Sequence, residues 1–201
     1  METGSETFRI EAFSDAVIAI AITLLVIEIR PPTGVEAASE MWHALRDLWP
    51  NYLGYVLSFF TIGIMWANHH TVFKMIRRTN HYLVLWNLLF LFCLAFIPFP
   101  TALMAETLGH ADERVGILVY SGWFLVTAVA YNLLWRYVTS HAQTLMTGAD
   151  PAQVQAVSNR FRLGPPAYAF AFALAFVNTW ASLVVLLLLA LAYVLPYAAS
   201  E

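Results

Sequence analysis

Residues 8–29 read FRIEAFSDAVIAIAITLLVIEI, and this stretch decides the class of the fold. Between Ala16 and Ile27 its only polar residue is Thr23. About 20 such residues, rising roughly 1.5 Å each in a helix, cross the ~30 Å hydrocarbon core of a bilayer. The head of the segment carries Arg9, Glu11, Ser14 and Asp15. That is too long and too rich in carboxylates for a cleaved signal peptide, whose apolar part runs about 7–15 residues. The segment reads as a retained membrane helix.

The rest of the chain agrees. Of 201 residues, 60% are hydrophobic and 11% charged, with a mean hydropathy of +0.67, against about 45–50% and about 25% in an average soluble domain. So few charges cannot give the apolar residues a polar shell, and the lipid bilayer is the expected solvent. A net charge of −3 argues against a nucleic-acid partner. Cys93 is alone, so neither an intrachain disulfide nor a thiolate metal cluster can form.

Charges mark off the remaining spans. No Asp, Glu, Lys or Arg falls in 48–73, 79–105, 115–135 or 163–200. The first three gaps each fit one helix; the fourth is too long for one crossing and is divided by Asn178–Thr179, so it reads as a helical hairpin. The expectation is one all-α integral membrane domain, 1–201, with six spans near 8–30, 48–73, 80–105, 113–138, 160–178 and 180–199. With the N-terminus inside, the cytoplasmic segments hold Arg9, Lys74, Arg77, Arg78, Arg136, Arg160 and Arg162, and the outer ones only Arg30, Arg46 and Arg114. This excess places both termini in the cytoplasm.

Asp150-Pro151 followed by Gln153 has the form of a helix start, with a capping carboxylate and a proline at the first helical position. Gly164-Pro165-Pro166 is expected to bend or restart that helix, and Pro98 and Pro100 to break the third span near its outer end. Trp42, Trp49, Trp180 and Tyr197 fall near span ends, as interfacial aromatics do. His43, His81, His110 and His141 fall near span ends or loops, where a solvated histidine is the default. There is no phosphate-binding glycine loop, Ser nucleophile elbow or His-Glu-x-x-His helix, so the chain does not read as an enzyme and calls for no cofactor.

Polar groups inside a bilayer are the first place to look for function. Asp15 lies about two turns into the first span and needs a partner; Arg9, Trp66, His69, His70 and Asn87 are the candidates. Three readings compete: a structural latch between helices, a proton or ion relay, and metal ligation. Adjacent His69 and His70 point about 100° apart on a helix, which disfavours the last. Ile20, Leu24 and Ile27 form a stripe with Thr23 beside it, roughly 140° from Asp15. Ordinary packing or lipid contact accounts for such a stripe without further assumption.

The run Arg9-Ile10-Glu11-Ala12-Phe13-Ser14-Asp15, continued by residues 19–29, resembles the first helix of the lysosomal potassium channel family, transmembrane protein 175. Weaker likenesses are Trp66-Ala67-Asn68-His69-His70, Asn87 and Ile97-Pro98-Phe99-Pro100-Thr101. The resemblance implies a potassium-selective or weakly selective cation channel of the cell membrane. It implies a homotetramer in which the first helix of each chain lines a central pore. No Thr-Val-Gly-Tyr-Gly filter is present. By position, Ile20 becomes the narrowest ring of a hydrophobic gate, Leu24 and Ile27 further rings, and Thr23 a source of hydroxyls for a passing ion. Potassium is then in transit, with no resident metal. Arg9, Phe13, Ser14, Asp15, Trp66, His69, His70 and Asn87 become a latch holding the pore helix. Ile27 stands where the family pattern leads one to expect leucine. The rival readings are a proton-conducting or proton-coupled transporter using Asp15 and a histidine, and a non-conducting membrane scaffold.

Overall fold

The computed structural model describes residues 3–34 and 37–194, with side chains from 6 to 192 within that range. Tyr197 and the last residues of the expected sixth span lie outside it. Among the described residues the chain is helical throughout, apart from its connections. Helix α1 (Thr3–Leu24) passes into a 3-10 segment, Leu25–Glu28. A short α2 (Ala38–Asp47) precedes α3 (Trp49–Met75), α4 (His81–Ala95) and α5 (Pro98–Thr107). Then come α6 (Glu113–Ser140), the single turn α7 (Ala142–Leu145), α8 (Pro151–Ala175) and α9 (Thr179–Val194).

By length and apolarity three stretches can cross a membrane, Glu6–Glu28, His81–Thr107 and Glu113–Ser140, and Thr179–Ala192 is a shorter apolar helix. Helices α3 and α8 are long enough but hold no continuous stretch of that apolarity. The first carries Asn68, His69 and His70, and the second carries Asn159, Arg160 and Arg162.

The core forms around α6, which packs on α4, α5, α8 and α9. Ile117, Tyr120, Phe124, Leu134 and Val138 on α6 are all buried, with the Tyr120 and Phe124 rings edge to face at 4.9 Å. Three hydroxyls inside this core pair with one another: Ser58 Oγ lies 2.7 Å from Thr101 Oγ1 and 3.0 Å from the Tyr120 hydroxyl, joining α3, α5 and α6. Gly116 sits where α6 meets α5; a Cβ there would run into Thr107 Oγ1 and come within 3.1 Å of Leu103 O.

Helix ends follow local chemistry. Asn80 Oδ1 accepts from Leu83 N at 2.8 Å to cap α4, and Asp150 Oδ1 accepts from Ala152 N at 2.9 Å to cap α8. Pro98 and Pro100 coincide with a break, since α4 ends at Ala95 and α5 starts at Pro98. At the break Ile97 N turns back to Leu94 O, and the Cys93 carbonyl instead accepts from Trp123 Nε1 at 2.7 Å.

The expected restart at Gly164-Pro165-Pro166 does not occur; α8 runs unbroken through both prolines. Pro165 has no N–H for the Phe161 carbonyl four residues back, and Asn132 Nδ2 on α6 supplies that bond at 2.9 Å. A neighbouring helix thus replaces the bond that Pro165 removes. Helix α2, with no buried residue, is a second feature the charge gaps do not reveal. Trp49 and Trp180, expected at an interface, stack at 5.9 Å where α3 and α9 begin.

Helix α1 stands to one side. Only 22% of the most apolar window of Glu6–Glu28 is buried, against 56% for His81–Thr107 and 50% for Glu113–Ser140. Its contacts are with α3 and α4.

Candidate ion pathway and the latch behind it

Helix α1 has two faces of opposite character. Ser14, Ile18, Ala21 and Leu25 recur at the helical repeat and are all at most 1% exposed, α1 packing on α3 and α4 and the 3-10 segment on α3 and α5. On the other side Ile20, Leu24 and Ile27 are 59%, 41% and 64% exposed, with Thr23 among them and Phe13 extending the face toward the N-terminus. Among the described residues none buries this apolar stripe, although Leu24 and Ile27 border a groove shared with Phe96 and Phe99. The Thr23 hydroxyl donates to Ile20 O at 2.9 Å, which leaves its oxygen lone pairs as acceptors toward the open side.

At the edge of the buried face, polar contacts at successive turns tie the helix to α3. Glu11 Oε1 and His70 Nδ1 are 2.8 Å apart. One turn along, Asp15 Oδ1 accepts from Trp66 Nε1 at 2.9 Å. Glu11 and Asp15 are spaced i, i+4, as are Trp66 and His70, but the pairs meet in reverse order, so α1 and α3 run antiparallel. The Trp66 and His70 rings stack at 6.1 Å, which holds the α3 side of the ladder as a unit.

Beside the ladder runs a fully buried chain. Asn87 Nδ2 on α4 donates to Ser14 Oγ at 2.9 Å, and Ser14 Oγ donates onward to Ile10 O at 2.8 Å. Asn87 Oδ1 can only accept, so His69 Nε2 carries the proton in its 2.9 Å bond. That assigns the Nε2–H tautomer and makes Nδ1, which has no partner, a bare lone pair. Phe73 and Phe90 stack on the ring at 4.3 and 5.8 Å.

Of the eight residues expected in the latch, the structure therefore brings together Ser14, Asp15, Trp66, His69, His70 and Asn87. Neither histidine meets Asp15. His69 faces Asn87, His70 faces Glu11, and Asp15 takes the indole. Arg9 and Phe13 are exposed and stand outside this set, lining a groove between α1 and α4 with Asn80 and His81. The residue that sequence reasoning missed is Glu11. Its signal was its spacing, since it stands one turn before Asp15 just as Trp66 stands one turn before His70. Among the described residues no three of His, Cys, Asp or Glu gather as metal ligands.

A helical bundle with three membrane-length apolar helices, one of them peripheral, latched by polar contacts on one side and bare on the other, has the form of a channel subunit. Comparison with known proteins gives the family. Residues 9–98 match the family model "Endosomal/lysosomal potassium channel TMEM175". A potassium channel of Chamaesiphon minutus is 46% identical over 192 residues, 95% of each chain. The crystal structure of a lysosomal potassium-selective channel TMEM175 homolog from the same organism superposes with a TM-score of 0.85 at 43% identity, covering 94% of this chain and 97% of that one. An endosomal/lysosomal proton channel TMEM175 of Gallus gallus is 35% identical over 105 residues, 49% of this chain and 21% of its own length. The chain belongs to the TMEM175 family of ion channels, which is not an enzyme class.

Proposed function

We propose that four copies of this chain assemble in the cell membrane, each crossing it six times with both termini in the cytoplasm. The exposed faces of the four α1 helices then line a pore that passes potassium down its gradient, selectively or with weak preference. The observation that carries the reading is the uncovered Ile20–Leu24–Ile27 stripe on a helix whose opposite face is locked to α3 and α4. Four copies of Ile20 form the narrowest ring, closed by dewetting when the bore is tight and opened by a small widening. Thr23 offers oxygens to an ion between the Ile20 and Leu24 rings. The α1–α3 ladder and the Ser14–Asn87–His69 chain hold each pore helix in place. The naming of the Chamaesiphon relatives as potassium channels supports the cargo.

The test is flux of potassium, sodium and protons in liposomes, for the wild type and Ile20→Asn, after assembly has been verified. Potassium flux that rises in the variant supports both channel and gate; absence of flux of all three ions in both assembled proteins favours a non-conducting scaffold. A second reading, proton conduction or coupling, is favoured by the carboxylates of Glu11 and Asp15 set against His70 and Trp66, and by the name of the Gallus relative. Under it, Asp15→Asn abolishes proton flux while potassium flux persists; under the latch reading both fall together as assembly weakens.

A further inference from the structure

A second site is built from helices other than α1. Between α6 and α8 runs a groove of about 540 Å³, walled by Asn132, Trp135, Thr139 and Ser158 and flanked by the exposed Arg136 and Arg162. No carboxylate is among its lining residues. The neutral polar groups in the wall spend their donors internally. Trp135 Nε1 donates to Ser158 Oγ at 3.0 Å, Ser158 Oγ to Val154 O at 2.7 Å, and Thr139 Oγ1 to Trp135 O at 3.0 Å. One N–H of Asn132 is spent on Phe161 O, and the exposed guanidinium groups of Arg136 and Arg162 are the charged donors of the groove.

Their level in the chain is set by sequence. Arg136 is the first charge after the uncharged run 115–135, and Arg162 the last before the uncharged run 163–200. Both therefore mark the same apolar-to-polar boundary, where the phosphates of a bilayer lie. At Asn132 and Pro165 the groove adjoins a narrow apolar crevice of about 50 Å³, whose walls include Met65, Ala128, Tyr168 and Ala190. A basic polar mouth opening onto an apolar slot matches one kind of molecule, a lipid with an anionic head and an acyl chain.

We propose that the α6–α8 groove binds an anionic phospholipid, its phosphate clamped by Arg136 and Arg162 and the start of one acyl chain laid in the crevice beside Ala190. Guanidinium forks suit phosphate oxygens, and basic pockets between membrane helices hold lipid headgroups for that reason. The occupied groove would also brace α8 at Pro165, where the helix depends on Asn132 for a missing bond.

The experiment uses the purified full-length protein in detergent and reads retained lipid by native mass spectrometry and unfolding by tryptophan fluorescence. The probes are dioleoyl phosphatidylglycerol, dioleoyl phosphatidylcholine, glycerol 3-phosphate and inorganic phosphate. Phosphatidylglycerol is expected to stay bound and raise the melting temperature, and the other three to do neither. Arg136→Gln/Arg162→Gln should weaken phosphatidylglycerol binding at least about tenfold. Arg77→Gln/Arg78→Gln, exposed at the same end and with the same loss of charge, should change it less than about threefold. Ala190→Leu, which narrows the crevice, should weaken it as well. Should the double arginine variant fail to fold, Arg162→Gln against Arg78→Gln gives the same comparison. Equal losses in the two arginine pairs would mean diffuse attraction to anionic lipid, and stabilisation by free phosphate equal to that by the lipid would mean a soluble-anion site; either result overturns the proposal. No ion flux is measured, so the outcome is independent of the pore assignment.

Discussion

The Glu11 carboxylate meets the His70 imidazole at 2.8 Å, one helical turn from the point where Asp15 accepts the Trp66 indole N–H. Glu11 is 20% exposed and His70 40%, whereas Ser14, Asn87 and His69 next to them are all at most 1% exposed. The buried chain should therefore bear more of the helix–helix stability than the ladder. Asn87→Ala, which strips both Ser14 Oγ and His69 Nε2 of a partner, is expected to cost about 2 kcal/mol. Glu11→Gln should cost less than about 1 kcal/mol. Denaturant unfolding in micelles checks the order, and a larger loss for Glu11→Gln would show that the ladder, not the buried chain, dominates.

The α1 stripe makes a different prediction, on flux and not on stability. Leu24→Ala removes most of a ring side chain from the proposed pore and should raise potassium flux several-fold by widening the bore. Leu191→Ala makes the same truncation on α9, where the side chain is 56% exposed on the outside of the bundle, and should leave flux unchanged. Equal responses at the two positions would remove the distinction on which the pore face rests.

Asn132 and Pro165 are expected to be energetically coupled. Asn132→Leu leaves the Phe161 carbonyl without a donor inside the bundle, at a cost of about 1–2 kcal/mol. In a Pro165→Ala background the restored backbone N–H can serve that carbonyl, and the same substitution should cost less than half as much. A double-mutant cycle on melting temperature reads the coupling directly; additive effects would mean that the side-chain bond does not stand in for the backbone one.

Reading the sequence fails in a pattern that these residues explain. The charge-free gaps locate helices because the cost of a charge in hydrocarbon depends on composition alone. The demand of Asp15 for a partner is likewise visible in isolation. Which partner answers it is not, because Trp66 lies 51 residues away and is chosen by the rotation of α3 against α1. Glu11 escaped notice since one carboxylate near a span end looks solvated until the opposing histidine is in view. The prolines show both outcomes of one rule. At Pro98 the chain breaks, while at Pro165 it continues, and at both places a side chain on α6 takes up a carbonyl left without its backbone donor. Helix α2 is short and surface-lying, so a test for spans passes over it.

The 3-10 winding of Leu25–Glu28 bears on the geometry of the α1 stripe. A 3-10 helix turns about 120° per residue and an α-helix about 100°, so over the three steps from Leu24 to Ile27 the two differ by about 60°. In the tighter winding Ile27 stands in line above Leu24; rewound as α-helix it would swing a sixth of a turn to one side. The azimuth of the outermost hydrophobic side chain is thus set by the local pitch of four residues, and a twist confined to them can turn it without moving the latched half of the helix.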